Sequence, residues 1–493
     1  MTIAASSRKK RLFYVPVRLQ KSISPAIVSG FVAIADGFVI LAVGGISYVY
    51  YVEQVLDLHQ FDMYSTPAIT ACMLMLGLAS YVGLYRFDWL VNVYRQIGRL
   101  VFAWSLAVFI TLFFGFQLHV VDQYSRAWAL IWMTGTPIAM IVSRALISQI
   151  IRRWIAAGLL TRNAVVVGSQ GEAERLLLHL KQRDGQDYRI CGVFAVETPG
   201  QRESISTNAT VAGYPVIGSV GDLTDFVQTS QVDDVFVALP WGVDDRINDI
   251  LSKLRMLPVD VRLVCNALAF CQQKLTASRF GEVTVLEVAR RPLRDWDALT
   301  KRAMDVAIAG AVLLFLLPPM AIVALAIKFD SPGPVIFRQK RFGFNNSVIE
   351  VFKFRTMYAE LSDPTGARRT RRGDSRVTRL GALLRRSSFD ELPQLFNVLR
   401  GDMSIVGPRA HPIAMLAGEE LYHTAVAEYI ARHRVRPGLT GWAQVNGLRG
   451  EIDSMEKARR RVDYDLFYIE NWSIWFDIRI LIRTVIILFK EAY

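Results

Sequence analysis

Two adjacent carboxylates, Asp390 and Glu391, stand just ahead of Pro393 in the run S-S-F-D-E-L-P-Q-L-F-N-V-L-R-G-D-M-S-I-V-G-P-R, Ser387 to Arg409. Proline is favoured at the first helical position, so Pro393 to Leu399 reads as a short helix. Both acids then fall at its positive N-terminal end, where an anion is stabilised. Two readings of that pattern compete. Acids ahead of a helix are often simple caps. An aspartate, with an unperturbed pKa of about 3.9, is also ionised at neutral pH and able to attack phosphorus. The surroundings favour the second. Upstream, V-F-K-F-R-T-M (Val351–Met357) alternates with period 2, which points Lys353 and Arg355 to one face of a strand. Arg368, Arg369, Arg371, Arg372, Arg376 and Arg379 follow, with Arg385 and Arg386 just before Asp390. Arginine is the usual bidentate partner of phosphate, so this run reads as a phosphate- and membrane-binding surface rather than a plain solvated face. Lys353, Arg355, Arg376, Arg379, Arg409 and Arg436 are the candidate phosphate ligands. Asp402 is either a supporting acid or only a turn residue.

The elements that must position these groups begin in a membrane. The 493 residues are 52% hydrophobic, with a mean hydropathy of +0.28, yet carry a formal net charge of +13. That combination fits a membrane protein with a large basic cytoplasmic part facing anionic head groups or phosphate-bearing substrates. No nucleic-acid-binding motif is present, and nucleic acid is not an expected partner. Cys72, Cys191, Cys265 and Cys271 show no C-x-x-C spacing, so neither a zinc site nor a disulfide framework is indicated. Residues 1–26, with Arg8-Lys9-Lys10-Arg11, read as a basic cytoplasmic tail rather than a cleavable signal. Four apolar segments follow within residues 27–150, near Ile27–Val52, Thr66–Leu84, Ile97–Leu118 and Ala127–Ile147. Each approaches the ~20 residues that a membrane-spanning helix needs. The first connection has acids but no Lys or Arg, the second carries Arg86, Arg95 and Arg99, and the exit carries Arg144, Arg152, Arg153 and Arg162. The positive-inside rule puts both ends of this four-helix bundle in the cytoplasm. Asp36 lies within the first span, a functional candidate or a packing residue, with no partner evident in the sequence.

From residue 160 to 280 the pattern is α/β. Strands are expected at Ala164–Gly168, Ile190–Val196, Val232–Leu239 and Val259–Val264, and strand, glycine turn, helix and strand at this spacing predict a Rossmann-like doubly wound domain. Gly168-Ser169-Gln170-Gly171 is an incomplete dinucleotide fingerprint, so nucleotide binding is not assigned. A membrane-bound sugar-nucleotide dehydratase is disfavoured because neither Tyr188 nor Tyr214 has a lysine four residues on. Residues 281–300 read as a connector. A fifth apolar stretch, 307–327, has Pro318 and Pro319 near its middle, where two backbone donors are lost and a break is expected. Lys301 and Arg302 precede it and Lys328, Arg338, Lys340 and Arg341 follow. Positive charge on both sides favours a helix–break–helix that re-enters on the cytoplasmic face over a kinked full span. Near the C-terminus, Trp472–Lys490 is apolar and aromatic but punctuated by Asp477, Arg479 and Arg483. It is either an interfacial helix or a buried core helix. Tyr464, Asp465 and Tyr468 ahead of it are further residues that could face substrate.

F-K-F-R-T-M, the D-E-L-P-Q-L block through G-P-R, and V-R-P-G-L-T-G-W-A-Q-V-N-G (Val435–Gly447) together resemble the catalytic domain of bacterial polyprenyl-phosphate hexose-1-phosphate transferases. The resemblance runs from about Arg291 to the C-terminus, and the upstream bundle and Rossmann-like domain resemble the large form of that family. It implies an α/β catalytic phosphoglycosyl transferase domain over 301–493, with a re-entrant helix and interfacial helices. It implies transfer of a hexose-1-phosphate from a UDP-sugar to undecaprenyl phosphate, with Mg²⁺ and release of UMP, to initiate an exopolysaccharide or capsule repeat unit. Trp442–Glu451 looks most like members that load glucose; UDP-galactose and a UDP-N-acetylhexosamine remain alternatives. By that resemblance Asp390 is the nucleophile that forms an aspartyl-phosphosugar, and Glu391 is the metal ligand. The expected setting is the bacterial inner membrane, with the catalytic domain on the cytoplasmic face, the bilayer as a partner and a homodimer or other homo-oligomer as the assembly. Ala410 departs from the proline usual after G-P-R. A non-catalytic membrane scaffold for polysaccharide assembly is the rival reading, and it leaves the carboxylate pair among arginines unexplained.

Overall fold

Helix α1 (Pro25–Ser47) begins where Ser24 accepts a hydrogen bond from the Ala26 N–H and Pro25 fills the first helical position. In the computed structural model the described residues are 23–182, 188–196, 210–239, 244–265, 276–280, 283–363, 373–417, 420–426, 428–448, 450 and 454–491. The basic tail before residue 23, Cys271, Arg368, Arg369, Arg371, Arg372 and Glu451 lie outside them. The chain divides into two units, Gln20–Arg162 and one that takes in Asn163–Tyr493.

In the first unit a π-helical turn (Tyr48–Glu53) extends α1, followed by α2 (Phe61–Tyr81), the short α3 (Phe87–Leu90), α4 (Val93–Gln117) and α5 (Arg126–Ala156). Pro25–Glu53, α2, α4 and α5 are each long and apolar enough to cross a membrane. Helix α1 packs on α2 and α5, and α4 packs on the same two. Three tryptophans fill the interior, and each satisfies its indole N–H on a backbone carbonyl: Trp104 on Met133 at 2.9 Å, Trp128 on Gly44 and Trp132 on Ile40 at 3.2 Å each.

Asp36, which has no partner evident in the sequence, is fully paired in space. Arg144 from α5 donates Nη2 to Asp36 Oδ2 at 2.5 Å and Nη1 to Gln96 Oε1 at 2.9 Å, and the Tyr85 hydroxyl completes the cluster at 3.1 Å. Asp36→Ala is expected to cost about 3–5 kcal/mol, because it strands Arg144 without a counter-charge. A double Asp36→Leu, Arg144→Leu variant should cost much less. Equilibrium unfolding in detergent checks this; equal losses in the two variants would rule out the ion pair as the cause.

The second unit opens with an eight-stranded sheet. Its strands are β1 (Arg162–Gly168), β2 (Tyr188–Ala195), β3 (Thr210–Val211), β4 (Tyr214–Ser219), β5 (Asp234–Ala238), β6 (Asp260–Cys265), β7 (Thr276–Phe280) and β8 (Val283–Ala289). Their order is β3-β4-β2-β1-β5-β6-β8-β7. Strands β1, β5 and β6 run parallel, as do β2 and β4, while β7 and β8 add antiparallel at one edge and β3 at the other. Helices α6 (Gln170–Gln182), α7 (Val220–Thr229) and α8 (Asp244–Leu254) complete the Rossmann-like domain. The expected connector is therefore partly sheet. The alternating, β-branched stretch V-T-V-L-E-V pairs with β6 and β7, which leaves only Arg290–Arg294 to link the domains.

Helix α9 (Asp295–Asp330) carries both Pro318 and Pro319 as one continuous helix, so the expected break is not an interruption of secondary structure. Each proline forfeits one i−4 hydrogen bond, while the turns on either side are held by packing. Ala309 and Leu313 are buried in a core with Leu395 and Val398, and Met320 and Ile327 in another with Phe354 and Leu384.

The remaining elements are the hairpin β9 (Ile336–Phe342) and β10 (Val348–Phe354), then α10 (Arg379–Arg386), α11 (Gln394–Arg400) and β11 (Ser404–Val406). After a short hairpin, β12 (Leu416–Ala417) and β13 (Glu420–Leu421), come α12 (Tyr422–Ala425), β14 (Gly438–Thr440) and α13 (Trp442–Val445). The chain closes with α14 (Met455–Glu470) and α15 (Ile474–Glu491). Helix α15 answers both readings of its sequence. Ile480 is buried in the core, whereas Trp475, Ile482, Val485 and Ile486 are exposed. Asp477 is a correction: it faces inward, with Lys301 Nζ 2.8 Å from its Oδ2.

Candidate active site

The two acids sit in a single 3₁₀ turn, Phe389–Glu391, entered through Ser388 in the left-handed region at φ 59°. Pro393 is the N-cap residue of α11, so the helix begins at Gln394, one residue later than the sequence suggests, and no side chain caps that helix end. Capping is thus not what the carboxylates do. Glu391 turns towards β10, where Lys353 Nζ donates to Oε1 at 2.8 Å. Arg409 reaches the same carboxylate with Nη2 at 2.5 Å and Nη1 at 3.3 Å. Asp390 behaves differently. It is buried, its Oδ2 lies 3.9 Å from Lys353 Nζ, and no hydrogen bond to it occurs among the described residues.

The motif residues around the acids explain this placement. Asn397, fully buried on α11, accepts from Phe352 N–H at 2.9 Å and donates to the Glu350 carbonyl at 2.7 Å. It acts as a strand partner for β10 and so fixes the register between Lys353 and Glu391. Gly401 closes α11 at φ 94°, and Arg302 donates to the Val398 and Leu399 carbonyls at 2.6 and 2.7 Å. Arg409 is carried by a corner where two backbones touch: a Cβ on Gly438 would stand 2.1 Å from Gly407 N. Only glycine admits that approach.

Electrostatics separate the two acids. Burial raises the Asp390 carboxyl above the usual carboxylate range, against the pull of Lys353. Burial would raise Glu391 as well, but the charges of Arg409 and Lys353 outweigh it and hold this carboxyl well below its ordinary value. Burial also lowers the Lys353 ammonium. The result is a glutamate held in its ionised form between two cations, beside a desolvated aspartate that has only the more distant Lys353 charge to favour its anion.

Lys353, Arg409, Asp390 and Glu391 come together; the other candidate ligands do not. Arg355 lies just beyond the end of β10, so the alternation that guides Lys353 no longer applies. Its Nη2 donates to the Ser331 carbonyl at 2.5 Å and to Ser331 Oγ at 3.1 Å, gripping the C-terminus of α9. Arg376 pairs with Asp374 at 2.7 Å. Arg379 opens α10, and none of the contacts found for Asp390 or Glu391 involves it. Arg436 lines a separate cavity with Arg291, Lys301 and Arg434. Asp402 pairs with Arg400 at 3.3 Å and accepts from Asn397 Nδ2 at 3.4 Å, beside the residue that sets the register of β10. Asp465 and Tyr468 are buried and bonded inside the domain rather than facing outward: Asp465 to Arg432 at 2.6 Å, and Tyr468 to the Val406 carbonyl at 3.1 Å.

Three further arginines stand behind the site: sequence reasoning placed Arg341 only in the flank of the fifth apolar stretch and Arg385 only in the arginine run, and it missed Arg432. Arg341 donates to the Ala410 carbonyl at 2.8 Å; burial and the neighbouring Arg409 push its guanidinium down to about 10. Arg432 binds Asp465 at 2.6 Å and the Arg409 carbonyl at 2.9 Å, and contacts His411. Arg385 donates to Thr356 at 2.8 Å, and its charge acts on Asp390. Their basic neighbours in sequence look alike, and only the fold distinguishes buried arginines from exposed ones.

Among the described residues no group of three or more His, Cys, Asp or Glu converges as a metal site. Mg²⁺ does not require one, since it is commonly held by one or two carboxylates together with substrate phosphates and water. The hard oxygens of Asp390 and Glu391 suit that role, provided Glu391 shares its carboxylate with Lys353 and Arg409.

A family model described as bacterial sugar transferase matches residues 296–491, and one described as CoA-binding domain matches 80–265. The chain is 41% identical over 355 residues to an undecaprenyl-phosphate glucose phosphotransferase of Komagataeibacter xylinus, covering 72% of this chain and 64% of that relative. It is 35% identical to a UDP-glucose:undecaprenyl-phosphate glucose-1-phosphate transferase of Xanthomonas campestris pv. campestris, over 75% of each chain. A protein of the same description from Escherichia coli (strain K12) is 33% identical, over 86% of this chain and 88% of its own.

Proposed function

The chain belongs to the bacterial sugar transferase family, and on that premise we propose that it transfers glucose-1-phosphate from UDP-glucose to undecaprenyl phosphate in exopolysaccharide synthesis. An Asp390 carboxylate oxygen attacks the β-phosphorus of UDP-glucose. The bond from that phosphorus to the bridging oxygen breaks, and UMP leaves with the bridging oxygen. A phosphate oxygen of undecaprenyl phosphate then attacks the aspartyl-phosphoglucose at phosphorus and releases the Asp390 carboxylate. The product is undecaprenyl diphosphoglucose. The observation that carries this reading is the contrast within the acidic pair: Glu391 is clamped by Lys353 and Arg409, while Asp390 is desolvated and has no hydrogen bond among the described residues. A carboxylate without solvating donors is a stronger nucleophile, and Lys353 and Arg409 stand ready to balance charge on the diphosphate. Mg²⁺ held by Glu391, with Asp390 adjacent, would add further neutralisation of the phosphates when bound.

The membrane arrangement follows from the same premise. The four apolar helices of the first unit cross the inner membrane as a bundle with both ends in the cytoplasm, by the distribution of basic residues in their loops. Helix α9 enters and returns on the cytoplasmic face. In support, its two ends are held by one domain: Lys301 and Asp305 near the start bind Asp477 and Ser404, and Arg355 grips Ser331 at the end. Between them Leu314, Phe315, Ile322 and Leu325 are exposed, an apolar surface that calls for lipid. The exposed apolar face of α15 lies at the same interface.

The test is UMP release by the full-length protein in nanodiscs, with and without undecaprenyl phosphate and Mg²⁺, across UDP-glucose, UDP-galactose and UDP-N-acetylhexosamines. UDP-glucose is expected to be used at least about tenfold better than the others, the discrimination that hydrogen bonds to one hydroxyl readily provide. Preference for another sugar would overturn the glucose assignment. Silence with every UDP-sugar would overturn the transferase reading.

A further inference from the structure

Within the apolar bundle of the first unit, a cavity of ≈ 280 Å³ lies between α2, α4 and α5. An apolar cavity of about 150 Å³ is already enough to hold a benzene ring. Trp128 and Trp132, both buried, line it from within, whereas Leu112, Phe114 and Leu118 line it and are exposed at the surface of the bundle. The hydroxyls and indoles of the wall are already partnered. Thr66, Thr70 and Thr111 each donate to the carbonyl four residues back, at 3.0, 2.9 and 2.9 Å. Tyr124 donates at 3.5 Å to the Met63 carbonyl, the one that Pro67 leaves without its helical N–H. Ser125 accepts from the Trp128 N–H at 3.4 Å, and the Trp128 and Trp132 indoles donate to α1 carbonyls. A wall satisfied in this way offers water few bonds, so the cavity stays dry or takes an apolar occupant.

The charged residue of the lining is Arg126, at the start of α5. The positive pole of the helix opposes a cation there, and the first turn of α5 holds no acid. Arg126 forms no ion pair among the described residues. Asp62, in the first turn of α2, and Asp122, in the 3₁₀ turn Val121–Gln123, stand at the same end of the bundle without lining the cavity. An unpaired cation at the edge, with acids nearby, suits a head group that joins a phosphate to an ammonium. The lining runs from Val108 to Gly115 on α4 and from Arg126 to Met133 on α5, about 10 Å along each helix at 1.5 Å per residue. That is less than half of the ~30 Å hydrocarbon core. It is the reach of one acyl chain within one leaflet, and too short for a long polyisoprenoid.

We propose that this cavity is a binding site for an ammonium-bearing phospholipid, a site that depends on the membrane reading of the first unit but not on the transferase reading. One acyl chain lies against Trp128 and Trp132, the phosphate accepts from Arg126, and the ammonium stands on the side of Asp62 and Asp122. The lipid then ties α2, α4 and α5 together at that end of the bundle. The full-length protein, stripped of lipid in detergent, is titrated with phosphatidylethanolamine. Binding is read by native mass spectrometry and by the unfolding midpoint, which a ligand of the folded state raises. Saturable binding of one phosphatidylethanolamine per chain is expected. Diacylglycerol, which has the chains without the phosphate, is expected to bind at least about tenfold more weakly, the scale of a hydrogen bond to a charged group. Arg126→Gln, at an exposed position, is expected to weaken phosphatidylethanolamine by about the same factor and to leave diacylglycerol unchanged. Ala129→Phe, which puts a ring into the cavity, is expected to weaken both. No saturable binding, an affinity unchanged in Arg126→Gln, or diacylglycerol equal to phosphatidylethanolamine would each overturn the proposal. Tighter binding of phosphatidylglycerol, displacement by undecaprenyl phosphate, or a stable dimer that binds no lipid would do the same by giving the cavity another occupant. None of these readouts uses a UDP-sugar, so failure here leaves the transferase reading standing.

Discussion

Asp390→Asn is expected to lower UMP release from UDP-glucose at least ~1,000-fold, the scale on which loss of a covalent nucleophile is felt. The substitution is nearly isosteric. The carboxylate accepts no hydrogen bond among the described residues, and burial disfavours its charge, so the fold loses little when the charge goes. Membrane insertion and the unfolding midpoint should match those of the unchanged protein. An amide cannot form the aspartyl-phosphoglucose, so radiolabel from UDP-[¹⁴C]glucose should not become protein-bound before undecaprenyl phosphate is added. UMP release within tenfold of the unchanged protein would remove Asp390 from the role of nucleophile.

Lys353→Met is expected to act twice. Its ammonium braces Glu391 at 2.8 Å and stands 3.9 Å from Asp390, so its loss should lower kcat/KM by about 100- to 1,000-fold through lost charge stabilisation of the transferring phosphoryl group. The pH profile should also move. In the proposed mechanism the reactive form of Asp390 is the anion, so activity is expected to fall as pH drops through its pKa. Burial raises that pKa and Lys353 lowers it, so removing the lysine raises it further. The acid limb is therefore displaced to higher pH. Glu391 does not explain such a limb, because Arg409 still holds it ionised. A limb that stayed in place or moved to lower pH would show that Lys353 does not act on Asp390.

Much of the catalytic domain was legible because its motifs are local. D-E-L-P-Q-L and G-P-R place acids, helix and corner within a few residues, and V-F-K-F-R alternates as a strand must. The reading failed where a local period ran past its element. Arg355 has the spacing to share a face with Lys353, but β10 ends at Phe354, and the side chain goes to the end of α9 instead. Arg376 and Arg436 stand apart from the carboxylate pair for a different reason: as arginines near a phosphate motif they look like Arg409, yet one pairs with Asp374 and the other lines a separate cavity. Asp36 shows the same limit inside the bundle, since its partner Arg144 is far along the chain on another helix.

By itself the sequence determined the class of chemistry, because a carboxylate pair among cations in long, specific motifs admits few readings. It also determined the apolar helices, since the hydrocarbon core demands unbroken runs of apolar residues. Which acid is braced and which is free was decided only in the tertiary structure. Asp390 and Glu391 are neighbours with nearly the same side chain. The 3₁₀ turn points one at Lys353 and Arg409 and leaves the other desolvated, and a pKa is set by the charges and water within a few ångströms rather than by position in the chain.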